Sequence, residues 1–278
     1  MRTLQNIEKK KQELGIEEFR KQKNCHVVCS TFHNDLFKKD YPEIEFVEPG
    51  TNVDNIYAVY RLGIFYENKQ IDYSKHPIDP IKEPLMKVAT DILGINYKET
   101  KVKLPKLSKS KKKRVCIAIH STSQAKYWNN PTGWQDVVDY IKGKGYEVRL
   151  LSREEDGYMG NSNPKGVTNQ PNSTTKEVLK TIQESKLFIG ISSGLSWLAW
   201  GTDTPVVIIS GFTDKHLEPI EGITRIINKE VCNSCWHSHE FDPGDWNWCP
   251  IHKNTDRQFE CSKEITSEDV IKQIKNFL

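Results

Sequence analysis

Four cysteines crowd into one short stretch with the spacing Cys232-x2-Cys235-x13-Cys249-x11-Cys261. A CxxC chelate followed by two further thiols offers four thiolates to one ion. Such a set closes a tetrahedral shell, leaves no vacancy for a substrate, and therefore does structural work. Zinc and iron suit a thiolate set equally well, and His237, His239 and His252 in the same stretch could each replace a cysteine. The segment has too few aliphatic residues to fold unaided, though Trp236, Trp246, Trp248 and Phe259 could pack around a metal. The other cysteines, Cys25, Cys29 and Cys116, lie in or beside apolar runs and read as buried thiols. Seven is an odd number for a disulfide framework. The N-terminus MRTLQNIEKKKQELG also lacks the apolar centre of an export signal, so the crowding points to metal rather than disulfides.

Two further loops could do chemistry on an anion. HSTSQAKYWNN (His120 to Asn130) places the hydroxyls of Ser121, Thr122 and Ser123 after an apolar run, with Lys126 close behind. Hydroxyls donate to phosphate oxygens, and a lysine ammonium acts as a point charge on the same group. GISSGLSW (Gly190 to Trp197) offers Ser192 and Ser193 before Gly194, where a helix starts at once. The free N–H groups of a helix start attract an anion. Together the loops describe a pocket for a nucleotide diphosphate. Bland alternatives stand beside this reading: Ser-Ser-Gly before a helix often only caps it, Lys126 could be a surface lysine, and Trp128 and Trp134 could be core residues.

These loops must be held by a sheet. VCIAIHS (Val115 to Ser121), YEVRLLS, LFIGISS and PVVIIS are strands, the first nearly all apolar, as expected where both sheet faces are covered. They alternate with helices over residues 132 to 144, 174 to 185 and SGLSWLAWGT, a pattern that predicts a parallel, Rossmann-like sheet. The loops then fall at the C-terminal ends of strands, where open α/β sheets place ligands. SEDVIKQIKNFL closes the chain as a helix with Ser267 as N-cap. Upstream, residues 3 to 23 read as a charged helix, HVVCST as a strand, FHNDLFKKDYP as a short helix and IEFVEPG as a strand. Tyr57 to Asn68 should include another strand, and residues 80 to 94 form a helix stopped by Gly94. The lysine-rich stretch from 103 to 113 separates two domains and reads as a solvated linker. The expected organisation is an incomplete N-terminal Rossmann-like domain over 1–105, a second Rossmann-like domain over 114–230, a metal knuckle over 231–263 and a closing helix over 264–278.

Among 278 residues, 36% are hydrophobic and 28% charged, the balance of a globular protein with a core. A net charge of +3 is too small to point to nucleic acid. No run approaches ~18 apolar residues, so no membrane insertion is expected and the cytoplasm is the expected location.

Three segments carry a family resemblance: HSTSQAKYWNNPTGW (His120 to Trp134), SSGLSWLAWGTDTPVVIISGFT (Ser192 to Thr213) and VCNSCW with WCPIHKNTDRQFECSKEIT (Val231 to Thr266). In this order they closely resemble the autotransporter O-heptosyltransferase family, which belongs with the lipopolysaccharide heptosyltransferases of two-Rossmann GT-B fold. The resemblance implies transfer of a heptose from ADP-heptose to serine hydroxyls of an adhesin-type passenger protein. It implies that Lys126 and the Ser193–Gly194 helix start contact the diphosphate, with Thr122, Ser123 and Ser192 nearby and Phe212 and Thr213 on the nucleoside side. It further implies a bound iron on the four cysteines, with lysine and helix dipole rather than metal at the phosphates. An exposed aromatic knuckle would suit a homo-oligomer contact.

The sequence departs from that family at its start. Family members open with a strand and a Gly-rich turn whose aspartate is the presumed base, and no such segment is found here. The expectation is an N-terminal domain lacking its first strand and catalytic-aspartate turn. Asp35 and Asp40 match no family motif, so the catalytic residue is unassigned. HPIDPIKEPL (His76 to Leu85) also stands where a more basic stretch is expected. Two readings follow: a glycosyltransferase whose base lies elsewhere, or a non-catalytic or truncated nucleotide-sugar binder of the same fold.

Overall fold

A computed structural model describes residues 26–68 and 70–278, which divide between two compact units, Met1–Pro105 and Lys106–Leu278. The helix expected over residues 3 to 23 lies outside the described residues.

In the first unit, β1 (Val27–Ser30) runs parallel to β2 (Ile44–Val47), with Val27 opposite Ile44, and α1 (Asn34–Phe37) connects them. The strand expected in Tyr57–Asn68 shrinks to β3 (Tyr66–Glu67), paired antiparallel with β4 (Gln70–Ile71). Upstream of it Val59 is 77% exposed and Leu62 53%. A β-prone sequence with no neighbouring strand does not realise its propensity. Helix α2 (Leu85–Leu93) begins later than residue 80, because Pro84 stands at its N-cap, and ends at Gly94 with φ 67°. There the Gly94 and Ile95 amides donate to the carbonyls of Asp91 and Thr90.

The second unit is built on a six-stranded, wholly parallel sheet ordered β10-β9-β8-β5-β6-β7. The strands are β5 (Arg114–Ala118), β6 (Glu147–Leu150), β7 (Thr168–Asn169), β8 (Leu187–Ile191), β9 (Val206–Ile209) and β10 (Ile223–Ile226). Every residue of β5 and β8 is buried, as their apolar runs predict for a sheet covered on both faces. On one face Val137, Val138 and Ile141 of α3 (Gly133–Gly143) and Val270 and Ile274 of α7 (Ser267–Ile274) pack on alternate strand residues such as Val115, Ile117, Leu187 and Ile189. On the other face, Ile182 of α4 (Thr175–Gln183) and Ala199 of α5 (Gly194–Trp200) pack on Cys116, Phe188 and Ile208. A short α6 (Glu260–Lys263) precedes α7. This is a three-layer α/β/α core.

Two expectations need correction. The N-cap of α7 is not Ser267 but Thr266, the residue before it, whose hydroxyl and backbone form a capping box with Asp269. The end of the lysine run is held rather than solvated. Lys111 Nζ donates to the Ser185 carbonyl and Thr204 Oγ1, each at 2.8 Å, while Lys112 and Arg114 both pair with Glu184.

Candidate functional site

The chain leaves β5 towards β6 and β7, then returns to β8 beside β5 and moves away through β9 and β10. The strand order therefore reverses between β5 and β8, and an open α/β sheet binds ligands at that point, beyond the strand C-termini. The hydroxyl-rich loop after β5 and the Ser192–Ser193 step after β8 both emerge there.

Their serines have different roles. Ser123 is 1% exposed, and its Oγ is buried with no hydrogen-bond partner among the described residues. Ser193 Oγ is also buried and unpartnered among them. Although Ser193 occupies the N-cap position of α5, its side chain makes no capping bond, so its hydroxyl remains available. Ser192 donates its hydroxyl to the Glu218 carboxylate. Glu218, 3% exposed, also receives Arg225 Nη1 at 2.7 Å. The proton of Ser192 is thus committed inside the protein.

Lys126 ends a 3-10 turn (Gln124–Lys126) in the loop after β5. Burial holds its ammonium below the usual lysine range, with the Glu218 carboxylate acting in the opposite sense. Its Nζ lies 5.8 Å from the centre of the Phe212 ring. A desolvated cation of this kind gains from an anionic ligand. Thr122 is exposed, whereas Thr213 is fully buried, with its hydroxyl 2.8 Å from Ser210 Oγ. Phe212 is 3% exposed and packs in a cluster with Trp236, Phe241 and Trp248. The core reading holds for Trp128, which is 4% exposed, packs on Trp134 and donates from Nε1 to the Ile265 carbonyl at 2.9 Å. Sequence reasoning missed Glu218 and Arg225. The only signal was an acid just before Pro219 and an arginine in a short apolar run.

In the cysteine segment, the Sγ atoms of Cys232 and Cys235 are 3.9 Å apart. The edge of a tetrahedral site with metal–sulfur bonds of ~2.3 Å is ~3.8 Å, so this pair fits one edge. Burial pushes the Cys235 thiol up to about 12, with Cys232, Cys261 and Cys249 adding to the shift. Burial likewise pushes Cys261 up to about 12, with Cys249 and Cys232 adding. Of the four sulfurs, those of Cys232 and Cys235 stand at ligand-to-ligand distance, and a bound cation would reverse the repulsion among the thiols by stabilising thiolates. Cys232 also lies within 4.8 Å of ligand atoms of His252 and Glu260. Glu260 is engaged by Arg257 through two 2.8 Å bonds and by the Cys232 amide. His252 Nε2 in turn lies 3.5 Å from Glu260 Oε1. The donor set as a whole suits a soft or borderline metal.

The fold and the site define a doubly wound α/β protein with buried donors suited to an anion in the loops at its switch point and a cysteine-rich segment against one of them. Residues 65–245 match the model of glycosyltransferase family 9 (heptosyltransferase). The chain is 39% identical to the autotransporter heptosyltransferase BAHTCr of Citrobacter rodentium, over 91% of this chain and 64% of that protein. It resembles the crystal structure of the iron-containing dodecameric glycosyltransferase TibC of enterotoxigenic E. coli with TM-score 0.83 and 36% identity, covering 94% of this chain and 70% of that one. TibC has also been solved in complex with ADP-D-beta-D-heptose (TM-score 0.81). The inactive autotransporter heptosyltransferase BimC of Burkholderia thailandensis is 30% identical over 93% of this chain and 63% of its own length. This chain belongs to glycosyltransferase family 9, and its fold is α/β and GT-B-like. It spans about two thirds of the length of these relatives. No helix among the described residues is long and apolar enough to cross a membrane.

Proposed function

We propose that this chain binds ADP-heptose and transfers the heptose to serine hydroxyls of an autotransporter- or adhesin-type protein. One observation carries the reading: the loop after β5, with the buried, unpartnered Ser123 hydroxyl and a desolvated Lys126, and the step after β8, with the unpartnered Ser193 hydroxyl, leave the C-terminal ends of two paired strands. Thr122 and Gly194 belong to the same two loops, and Phe212 and Thr213 form the wall beyond β9. As ADP departs, negative charge grows on its phosphates. A fixed ammonium, hydroxyl donors and helix N–H groups stabilise that charge without reorganising, so Lys126 fills the role a metal serves in other transferases. The base that takes the acceptor proton is not assigned to any residue. The solved complex of TibC with ADP-heptose supports the choice of donor.

The second reading, a nucleotide-sugar binder without transfer, is favoured by the match to the inactive BimC. Mass spectrometry separates the two. The chain is incubated with ADP-heptose and a serine-rich passenger, and the expected result is a gain of heptose masses on the passenger. Bound ADP-heptose with no transfer would leave only the binder.

The reading also assigns a structural iron to Cys232, Cys235, Cys249 and Cys261, with zinc as the alternative ion. Its support is the Cys232–Cys235 sulfur pair at 3.9 Å and the similarity to iron-containing TibC. When bound, the metal supplies a cross-link that holds the segment folded. Free thiolates require a reducing compartment, which favours the cytoplasm. A homo-oligomer is proposed by analogy with dodecameric TibC, and light scattering of the purified chain tests it.

A further inference from the structure

The cysteine-rich segment grips the loop that carries Lys126 from two directions. On one side Ser262, 1% exposed and adjacent to Cys261, accepts from the Asn129 amide at 3.3 Å and from Asn129 Nδ2 at 2.9 Å. The same Nδ2 reaches the carbonyls of Gln124 and Tyr127, which bracket the 3-10 turn. The Gln124 amide in turn donates to the Trp246 carbonyl at 3.0 Å. The Trp246 indole packs edge-on against Tyr127 and Tyr158, with centroids 5.8 and 6.0 Å away. On the other side, Trp236 and Trp248 pack on Phe212, the ring beneath the Lys126 ammonium. A Cβ at Gly211 would come within 2.6 Å of the Cys261 carbonyl, so the two backbones are in direct contact there. This one segment therefore touches both the turn that bears Lys126 and the ring below its ammonium, while Asn161 holds the Gln124 side chain from a third side.

We infer that the cysteine-rich segment positions the nucleotide loop, with Trp246 and Ser262 as positioning residues, and that nucleotide binding and metal retention are linked. The inference rests on the nucleotide reading of Lys126. Linkage between two sites is reciprocal: the factor by which a disturbed segment weakens ADP binding is the factor by which ADP steadies the segment. Trp246 supplies its carbonyl whatever its side chain. What the indole adds is the packing that keeps the carbonyl under Gln124. Removing Ser262 Oγ instead leaves the buried Asn129 donors without their partner.

The test uses the full metal-loaded chain as wild type, W246A, W246F and S262A. It measures amide hydrogen exchange, ADP binding by calorimetry, and the rate of metal release to a chelator with and without ADP. In W246A and S262A, the amides of Gln124 to Asn129 should lose protection while those of β8 and β9 keep theirs, with metal content unchanged. ADP affinity should fall about tenfold, equivalent to about 1.4 kcal/mol, and W246F should recover most of it. Saturating ADP should slow metal release from the wild type, and a release rate unchanged by ADP would overturn the linkage. Unchanged protection over residues 120–130 in both W246A and S262A would overturn the positioning role. ADP affinity within about twofold of wild type in both would overturn the linkage. A wild type that binds no ADP would instead overturn the donor reading, and the exchange data alone would then decide the positioning role. If W246A fails to fold, S262A carries the same test.

Discussion

Replacing Lys126 by methionine keeps the aliphatic stem against Phe212 and removes only the charge. An ammonium and a phosphate ~4 Å apart gain roughly 4 kcal/mol at an effective dielectric of ~20. A single charge-assisted hydrogen bond contributes about 1.5–3 kcal/mol net. Burial already depresses the Lys126 pKa in the free protein, so much of the ammonium's desolvation cost is present before any ligand arrives. The loss on substitution should accordingly follow the charge-assisted bond, about 2 kcal/mol or about thirtyfold in ADP affinity. Stability should move the other way. The folded-state pKa lies below the unfolded one, so ionised Lys126 weighs against folding at neutral pH, and that penalty fades as pH rises towards the unfolded value. Lys126→Met should therefore melt at or above the wild-type temperature while binding ADP weakly. Calorimetry and thermal unfolding on the same preparation measure both. An ADP affinity within about twofold of wild type, in a variant that folds normally, would refute the role given to this lysine.

The two adjacent serines should separate cleanly. Ser193→Ala should weaken ADP binding with little change in melting temperature, because its hydroxyl makes no cap. Ser192→Ala should cost about 1–3 kcal/mol of stability in denaturant unfolding, because buried Glu218 loses a donor. Cys235→Ser should abolish metal binding and lower the melting temperature, and a full metal complement by elemental analysis would contradict the four-cysteine site. Glu184 is held below its ordinary 4.5 chiefly by the hydrogen bond from Lys112. Its contribution is present above the unfolded pKa and is lost as pH falls through the depressed folded value. Glu184→Gln should therefore flatten the acid limb of the stability–pH curve, and an unaltered limb would count against the assignment.

Much of the second unit was legible in the sequence because its core strands are buried on both faces. VCIAI and LFIGI are apolar at every step, a pattern few other structures require. β10 and β7 escaped because Ile223–Ile226 mixes polar with apolar residues and Thr168–Asn169 spans two residues on a sheet edge. The anion loops were legible as chemistry but not in detail. Which of Ser192 and Ser193 keeps a free hydroxyl depends on Glu218, 26 residues downstream and silent until β9 and its loop bring it back. The knuckle showed the same limit. Its CxxC is a local signal, whereas the approach of His252 and Glu260 to Cys232 arises only when the segment folds back through residues 250–260.

The pocket concentrates features that oppose folding. Lys126 is desolvated, Ser123 and Ser193 hold buried hydroxyls without partners, and Arg225 keeps a buried Nη2 unpaired among the described residues. Beside them Ser234 and Phe259 adopt left-handed backbone at φ 60° and 61°. Left-handed backbone at a non-glycine residue costs of order 1–3 kcal/mol and persists only where the surroundings over-determine it. Here the surroundings are of two kinds. Beneath the loops lies the fully buried β5–β8 seam, and above them lies a segment with almost no aliphatic core. The seam can fix where the loops start but not where Lys126 ends, eight residues beyond Ala118. A loop of that reach is held by what packs over it, which is the cysteine-rich segment together with Asn161, whose amide group exchanges two hydrogen bonds with that of Gln124. A metal there would stabilise the pocket in its costly, ligand-ready form while leaving the phosphates to the protein's own charges.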